Sequence, residues 1–291
     1  MRYKGKHLNF YAMKKSLFLL PLLAGMVFLL GSCSKNNTTP DNNFTAVQDD
    51  AYAESVFDNA TNIADEAYAL SSVNFKSSEA TEGRVYLSKC ATVTLDTSVY
   101  PRVLTIDFGD SNCLCNDGRY RRGKIIVTFT GRYFMPGTIR TTTFENYYVD
   151  DNQVEGTKVV TNNGFNDSGN MNWTITVNAM ITLANGEGTF SWKSQRNREW
   201  TEGFSTRNDR WDNVFMISGK SEGQRASGLK WSRVITKPLE VKLACRFIVS
   251  GTMEIKVEGK ATRILDFGNG ECDNLATVTV DGETRTIHLR K

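Results

Sequence analysis

The sequence predicts a mainly β protein: an antiparallel meander forming a curved sheet, a sandwich or an open barrel, preceded by one amphipathic helix. Three observations predict it. Beyond Arg84, β-branched and aromatic residues alternate with polar ones at a period of two, as in Lys124–Thr130 and Ala276–Val280. Turn dipeptides separate these runs. Only between residues 49 and 71 does the apolar period lengthen to three and four. A chain of 291 residues, 40% hydrophobic and 23% charged, has room for one large β domain, and its composition excludes a disordered chain, a collagen and a polytopic membrane protein.

Residues 1–32 read as an export signal, with Met13 the better start. Met13-Lys14-Lys15-Ser16 is a basic n-region. Leu17 to Leu30 is an apolar run too short for a permanent anchor, and Gly31-Ser32 supplies small residues before a boundary. Leu30-Gly31-Ser32-Cys33 resembles the lipobox of bacterial lipoproteins, in which the Cys is lipidated and becomes the new N-terminus. That resemblance implies a membrane anchor at Cys33. Ser34 is not the Asp that holds enteric lipoproteins in the inner membrane, which favours the outer membrane. Ser34-Lys35-Asn36-Asn37 also lacks the acidic character usual in the surface-export signals of Bacteroidota lipoproteins, so periplasmic leaflet and cell surface both stay open.

Residues 33–48 are polar, with Pro40 and several Asn, and read as a flexible tether. In the helix predicted over 49–71, Val56, Phe57, Ala60, Ile63, Ala64, Ala67 and Tyr68 form one face. Asp49 and Asp50 are expected at its N-cap. Residues 84–291 form the single β domain, about a dozen strands. Segments expected as strands include Ala91–Asp96, Trp173–Val177 and Arg246–Val249, with turns at Asn162-Asn163-Gly164, Asn185-Gly186, Asn269-Gly270 and Asp281-Gly282.

One internal repeat stands out: Ile106-Asp-Phe-Gly…Cys113 and Leu265-Asp-Phe-Gly…Cys272, each with a cysteine upstream, Cys90 or Cys245. In an exported chain this layout predicts disulfides Cys90–Cys113 and Cys245–Cys272, with Cys115 left over. Cys113 and Cys115 without nearby His or further Cys do not form a zinc site, and no metal or cofactor is expected. Asp107 and Asp266 are expected to cap their own turns.

Catalytic signatures are weak. Gly219-Lys-Ser221-Glu-Gly223 reads Gly-x-Ser-x-Gly, but the strand-like segment after it is not the helix a nucleophile elbow needs. His288, downstream of Met13 the only His, alternates with Ile287 and Leu289 and reads as a surface residue.

Trp173, Trp192 and Trp231 align with apolar strand positions and read as core. Trp200 and Trp211 flank loops carrying Arg196, Arg198, Arg207 and Arg210, of which Arg198 and Arg210 are taken with the two tryptophans. These four are the candidate ligand-binding residues, suited to stacking and to acidic or hydroxyl-rich groups such as a glycan or a lipid headgroup; rim aromatics closing one end of the sheet are the plainer reading. Asp41 to Glu82 holds nine acidic residues against Lys76 alone, while Lys193 to Lys237 holds ten basic and five acidic. An acidic helix docked on or near a basic sheet is one reading, and a footprint for an anionic partner the other. The formal charge of +3 belongs largely to the export signal. Removing its five Lys and Arg, with no acid among residues 1–32, leaves 30 basic against 32 acidic residues, net −2. Nucleic acid is not an expected partner.

Together the lipobox, the Asn-rich tether and the paired Asp-Phe-Gly…Cys units resemble β-rich envelope lipoproteins of Bacteroidota, which implies no particular activity. The expectation is an outer-membrane-anchored lipoprotein that binds a ligand or partner without catalysis. The alternative is a polysaccharide-acting hydrolase using a carboxylate pair.

Overall fold

The computed structural model describes residues 45–72, 86–206 and 209–289, without the side chains of Ser72 and Arg210. The segments expected as export signal and tether, Cys33 included, lie outside them up to residue 44.

Helix α1 spans Thr45–Ser72, 28 residues. The strands follow: β1 Thr92–Asp96, β2 Arg102–Asp107, β3 Cys113–Leu114, β4 Tyr120–Phe129, β5 Ile139–Val149, β6 Asn152–Phe165, β7 Met171–Leu183, β8 Gly188–Glu202, β9 Val214–Arg225, β10 Lys230–Lys242, β11 Ser250–Val257, β12 Arg263–Asn269, β13 Leu275–Val280 and β14 Glu283–His288. Every neighbouring pair is antiparallel, each strand pairing the next in sequence except that β2 pairs β4 and short β3 caps one end of β4. The sheet does not close: β1 and β14 are its edges. This is the meander the turn chemistry predicts, in its open form.

Alternation sets the two faces. On β4, Ile125, Val127 and Phe129 are buried and Lys124, Ile126 and Thr128 less so; on β8, Phe190, Trp192, Ser194 and Arg196 point the same way. The inward face is the one α1 lies on. Ladder register shifts in β4, β5, β6, β8, β10 and β11 bend the strands, so that the sheet curves around the helix. Gly156 serves this curvature: it has φ +122°, a region closed to most side chains, and a Cβ there would come within 2.2 Å of the Asn178 carbonyl of β7.

The helix packs through small residues. Ala53, Ala60, Ala64 and Ala67 are buried with Val56, Phe57 and Ile63, in one cluster with Leu104, Ile106, Ile125 and Val127. At its far end Tyr68 stacks on Tyr133, centroids 4.2 Å apart.

Four expectations are corrected. The helix begins a turn earlier than its periodicity suggests, because Ala46 already packs in the core. Asp49 and Asp50 therefore stand inside the helix, where they are buried and bonded to the sheet rather than capping. Asn162-Asn163-Gly164 lies within β6: the Asn162 side chain accepts from Gly164 N at 3.0 Å and donates to Phe134 O at 3.1 Å, forming a bulge, and the turn comes at 166–170. Arg246–Val249 is no strand but the connection between β10 and β11, beginning beside the Cys245–Cys272 bond.

Both predicted disulfides are present, with Cα–Cα separations of 6.0 Å for Cys90–Cys113 and 5.2 Å for Cys245–Cys272. The two Asp-Phe-Gly units form the same turn, in which Gly109 N donates to Asp107 at 2.8 Å and Gly268 N to Asp266 at 2.9 Å. Cys115 is free and buried, and that burial pushes its thiol up.

Candidate functional site

The acidic flank of α1 faces the inward side of β5 to β10, and alternation places cations there among apolar neighbours. Asp49 takes a two-pronged bond from Arg225, at 2.6 and 2.7 Å. Asp50, only 2% exposed, accepts from Trp192 Nε1 and Ser221 Oγ at 2.7 Å each, with Arg233 Nε 3.0 Å away. Glu54 binds Arg196 Nη2 at 2.7 Å and also meets Arg233. Lys158, 3% exposed, donates at 3.0 Å to both Asp58 and the Phe57 carbonyl. Arg140 pairs with Asp65 at 2.8 Å.

Between this flank and the sheet lies a chamber of about 600 Å³. Its walls are largely apolar, with Trp173, Ile175 and Val177 from β7, Phe215 and Ile217 from β9, and Leu239, Val241 and Met253 beyond. It extends from mid-sheet to the end where Phe134, Trp200 and Ile248 stand. The helix starts at the other end, since Asp49 and Tyr52 bond to the last residues of β9 and β5. Trp173 and Trp200 stack at 6.4 Å, and Trp200 is pinned by its Nε1 donating to Asn213 at 3.1 Å. A volume of this size, apolar with a few placed charges, has the character of a small-molecule site.

The charges between the helix and this face of the sheet do not balance. Asp49, Asp50, Glu54, Asp58 and Asp65 are answered by Arg225, Arg233, Arg196, Lys158 and Arg140. Arg198 is a sixth cation on the same face; among the described residues it makes no ion pair and no hydrogen bond, and its guanidinium lies 3.8 Å from the centre of the Phe215 ring. Burial pulls its pKa down, against the attraction of Asp58 and Asp65. Arg196, 5% exposed, uses Nη2 on Glu54 and leaves Nη1 buried without a hydrogen-bond partner among the described residues. Both line the chamber.

Of the four predicted ligand-binding residues, the structure brings together Trp200 and Arg198. Trp211 does not join them: it sits in the short turn Arg210–Asp212, 62% exposed and away from the chamber lining. Trp192 and Trp231 are core as expected, whereas Trp173 is half-buried in the chamber wall. Arg196 was among the arginines the sequence placed near Trp200, whereas Arg140, Lys158 and Arg233 were not singled out, although each lies on the inward face of its strand.

Ser221 is within β9 and holds Asp50, while exposed His288 ends β14, five strands along the sheet. They form no catalytic pair. The chamber carboxylates Glu54, Asp58 and Asp65 all come from one helix, and each is bonded to a cation of the sheet, which is an arrangement for docking the helix. Among the described residues no three His, Cys, Asp or Glu side chains gather as a metal site.

The chain matches no protein-family model, no curated protein and no solved structure. Its function must follow from the chemistry of the site.

Proposed function

We propose that this protein is an envelope lipoprotein, anchored in the outer membrane through Cys33, whose β body holds a lipid-like molecule in the chamber between α1 and the sheet. The observation that carries the reading is the chamber itself, about 600 Å³ with mainly apolar and aromatic walls. Those walls suit an acyl chain better than a glycan, whose hydroxyls would need more donors and acceptors than they offer.

Thermal unfolding tests the binding reading. Long-chain amphiphiles raise the melting temperature, by an amount equivalent to about 2.7 kcal/mol at a hundredfold excess over Kd, and soluble oligosaccharides leave it unchanged. A shift with oligosaccharides alone would reverse the assignment. The anchor is tested separately: Cys33→Ala abolishes incorporation of labelled palmitate and moves the protein out of the membrane fraction.

A further inference from the structure

The structure points to a polar subsite within the chamber, and from it we infer that the bound molecule is an anionic amphiphile, its carboxylate or phosphate head at Arg198 and the open Nη1 edge of Arg196. This deepens the binding reading and rests on it. Five of the six carboxylates of α1 meet five cations of the sheet, and the other, Glu66, accepts from the backbone N–H groups of Tyr86 and Leu87, so the helix asks for no sixth cation on this face. Arg198 is nevertheless there, half-buried among Trp173, Trp200 and Phe215, with the Phe215 ring against its guanidinium. A cation withdrawn from water without a counter-charge is unfavourable, and a charged partner removes the penalty.

Arg196 adds a second donor two residues away on the same face of β8. Glu54 fixes its other arm, so Nη1 is held in place while making no bond of its own. Two guanidinium edges on one strand suit a planar carboxylate or a phosphate, both recognised by paired N–H donors. The apolar walls continue from the arginines along Ile175, Val177, Ile217 and Met253, which is where the chain of such a ligand would lie. The ring against Arg198 holds the guanidinium by a cation–π contact, leaving its edge for the head group.

The test titrates the full chain, reconstituted in phosphatidylcholine vesicles, with dodecanoate, dodecyl phosphate, dodecanol and inorganic phosphate. Emission of the chamber tryptophans is the readout, since the vesicles contain none. Partitioning of each probe into lipid is common to all variants and cancels in the ratio of apparent Kd between variant and wild type. For Arg198→Met the ratio is about tenfold or more with dodecanoate and dodecyl phosphate, the worth of a charge-assisted bond, and near one with dodecanol. Arg198→Lys, which keeps the charge, gives an intermediate ratio. Inorganic phosphate, lacking a chain, causes no change in emission.

A ratio near one for every amphiphile overturns the anion subsite and leaves the chamber as a binding site. Failure of all three amphiphiles to change wild-type emission overturns the binding reading and the subsite with it. Inorganic phosphate binding as tightly as dodecyl phosphate overturns the amphiphile. Should Arg198→Met unfold, Arg198→Lys still decides: equal weakening of dodecanol and dodecanoate in that variant marks Arg198 as a packing residue and contradicts the subsite.

Discussion

On one flank of α1, Val56, Ile63 and the alanines close against Leu104, Ile106 and Ile125 of β2 and β4 with no exposed surface between them. On the other, Glu54, Asp58 and Asp65 look across a chamber at Lys158, Arg196 and Arg198 of β6 and β8. The same helix meets the same inward face of one sheet in both places, yet one contact is sealed and the other is held open. Shape complementarity of short apolar side chains produces the first. Long charged side chains produce the second, because ion pairs bridge a gap that packing would have closed. The sealed flank fixes where the helix lies, and the paired flank fixes how far it stands from β7 to β9.

The sharpest way to break this contrast is to remove an anion from the paired flank. Asp50→Ala leaves Trp192 Nε1 and Ser221 without their shared acceptor and Arg233 without one of its two ion-pair partners, and stability is expected to fall by about 3–5 kcal/mol in denaturant unfolding. Next is the sealed flank, where Ile63, fully buried, loses about 2–5 kcal/mol on truncation to Ala through the cavity it leaves. A paired experiment then separates the flanks by sign of tolerance. Ile125→Phe overpacks closed space and costs about 1–3 kcal/mol, whereas Ile175→Phe enters the chamber and costs under about 1 kcal/mol while blocking amphiphile binding.

The smallest expected effect is the pH response. Burial works to raise the Asp117 carboxyl, but two bonds from Arg121, at 2.6 and 2.8 Å, together with its charge outweigh this and hold it below the usual carboxylate range. Its contribution is present above the unfolded pKa of about 3.9 and is lost as the pH falls through the lower folded value, so unfolding midpoints drop only below about pH 4. At the alkaline end, burial pushes Tyr52 up to about 12 and raises Tyr133 and Tyr147 too. These groups stabilise fully below the unfolded pKa of about 10, and that stability is lost as the pH rises beyond it. A midpoint that falls between pH 5 and 9 would contradict both assignments.

The meander, the helix and both disulfides were legible in the sequence because each rests on a local rule: period two, period 3.6, turn dipeptides and cysteine layout. Arg246–Val249 misled because an apolar β-branched run also suits a buried connection. Asn162-Asn163-Gly164 misled because the turn residues that end a strand also form a bulge within one. The chamber was half legible. Trp200 and Arg198 could be nominated from composition, but the charges that complete it lie on separate strands, and only the sheet's register brings them opposite one helix. One signal was available in each case: Lys158 shares its face with Val154 and Val160, and Arg196 with Trp192, so a cation at an inward apolar position marks a place where something must answer it.

The central claim, that the open flank of α1 is a site for an anionic amphiphile, is tested most directly by native mass spectrometry of the protein isolated from its native source. The account predicts a non-covalent acidic adduct on the wild-type chain that is absent from the Ile175→Phe variant and depleted in Arg198→Met. A wild-type protein without adduct, or the same adduct on all three, would contradict it.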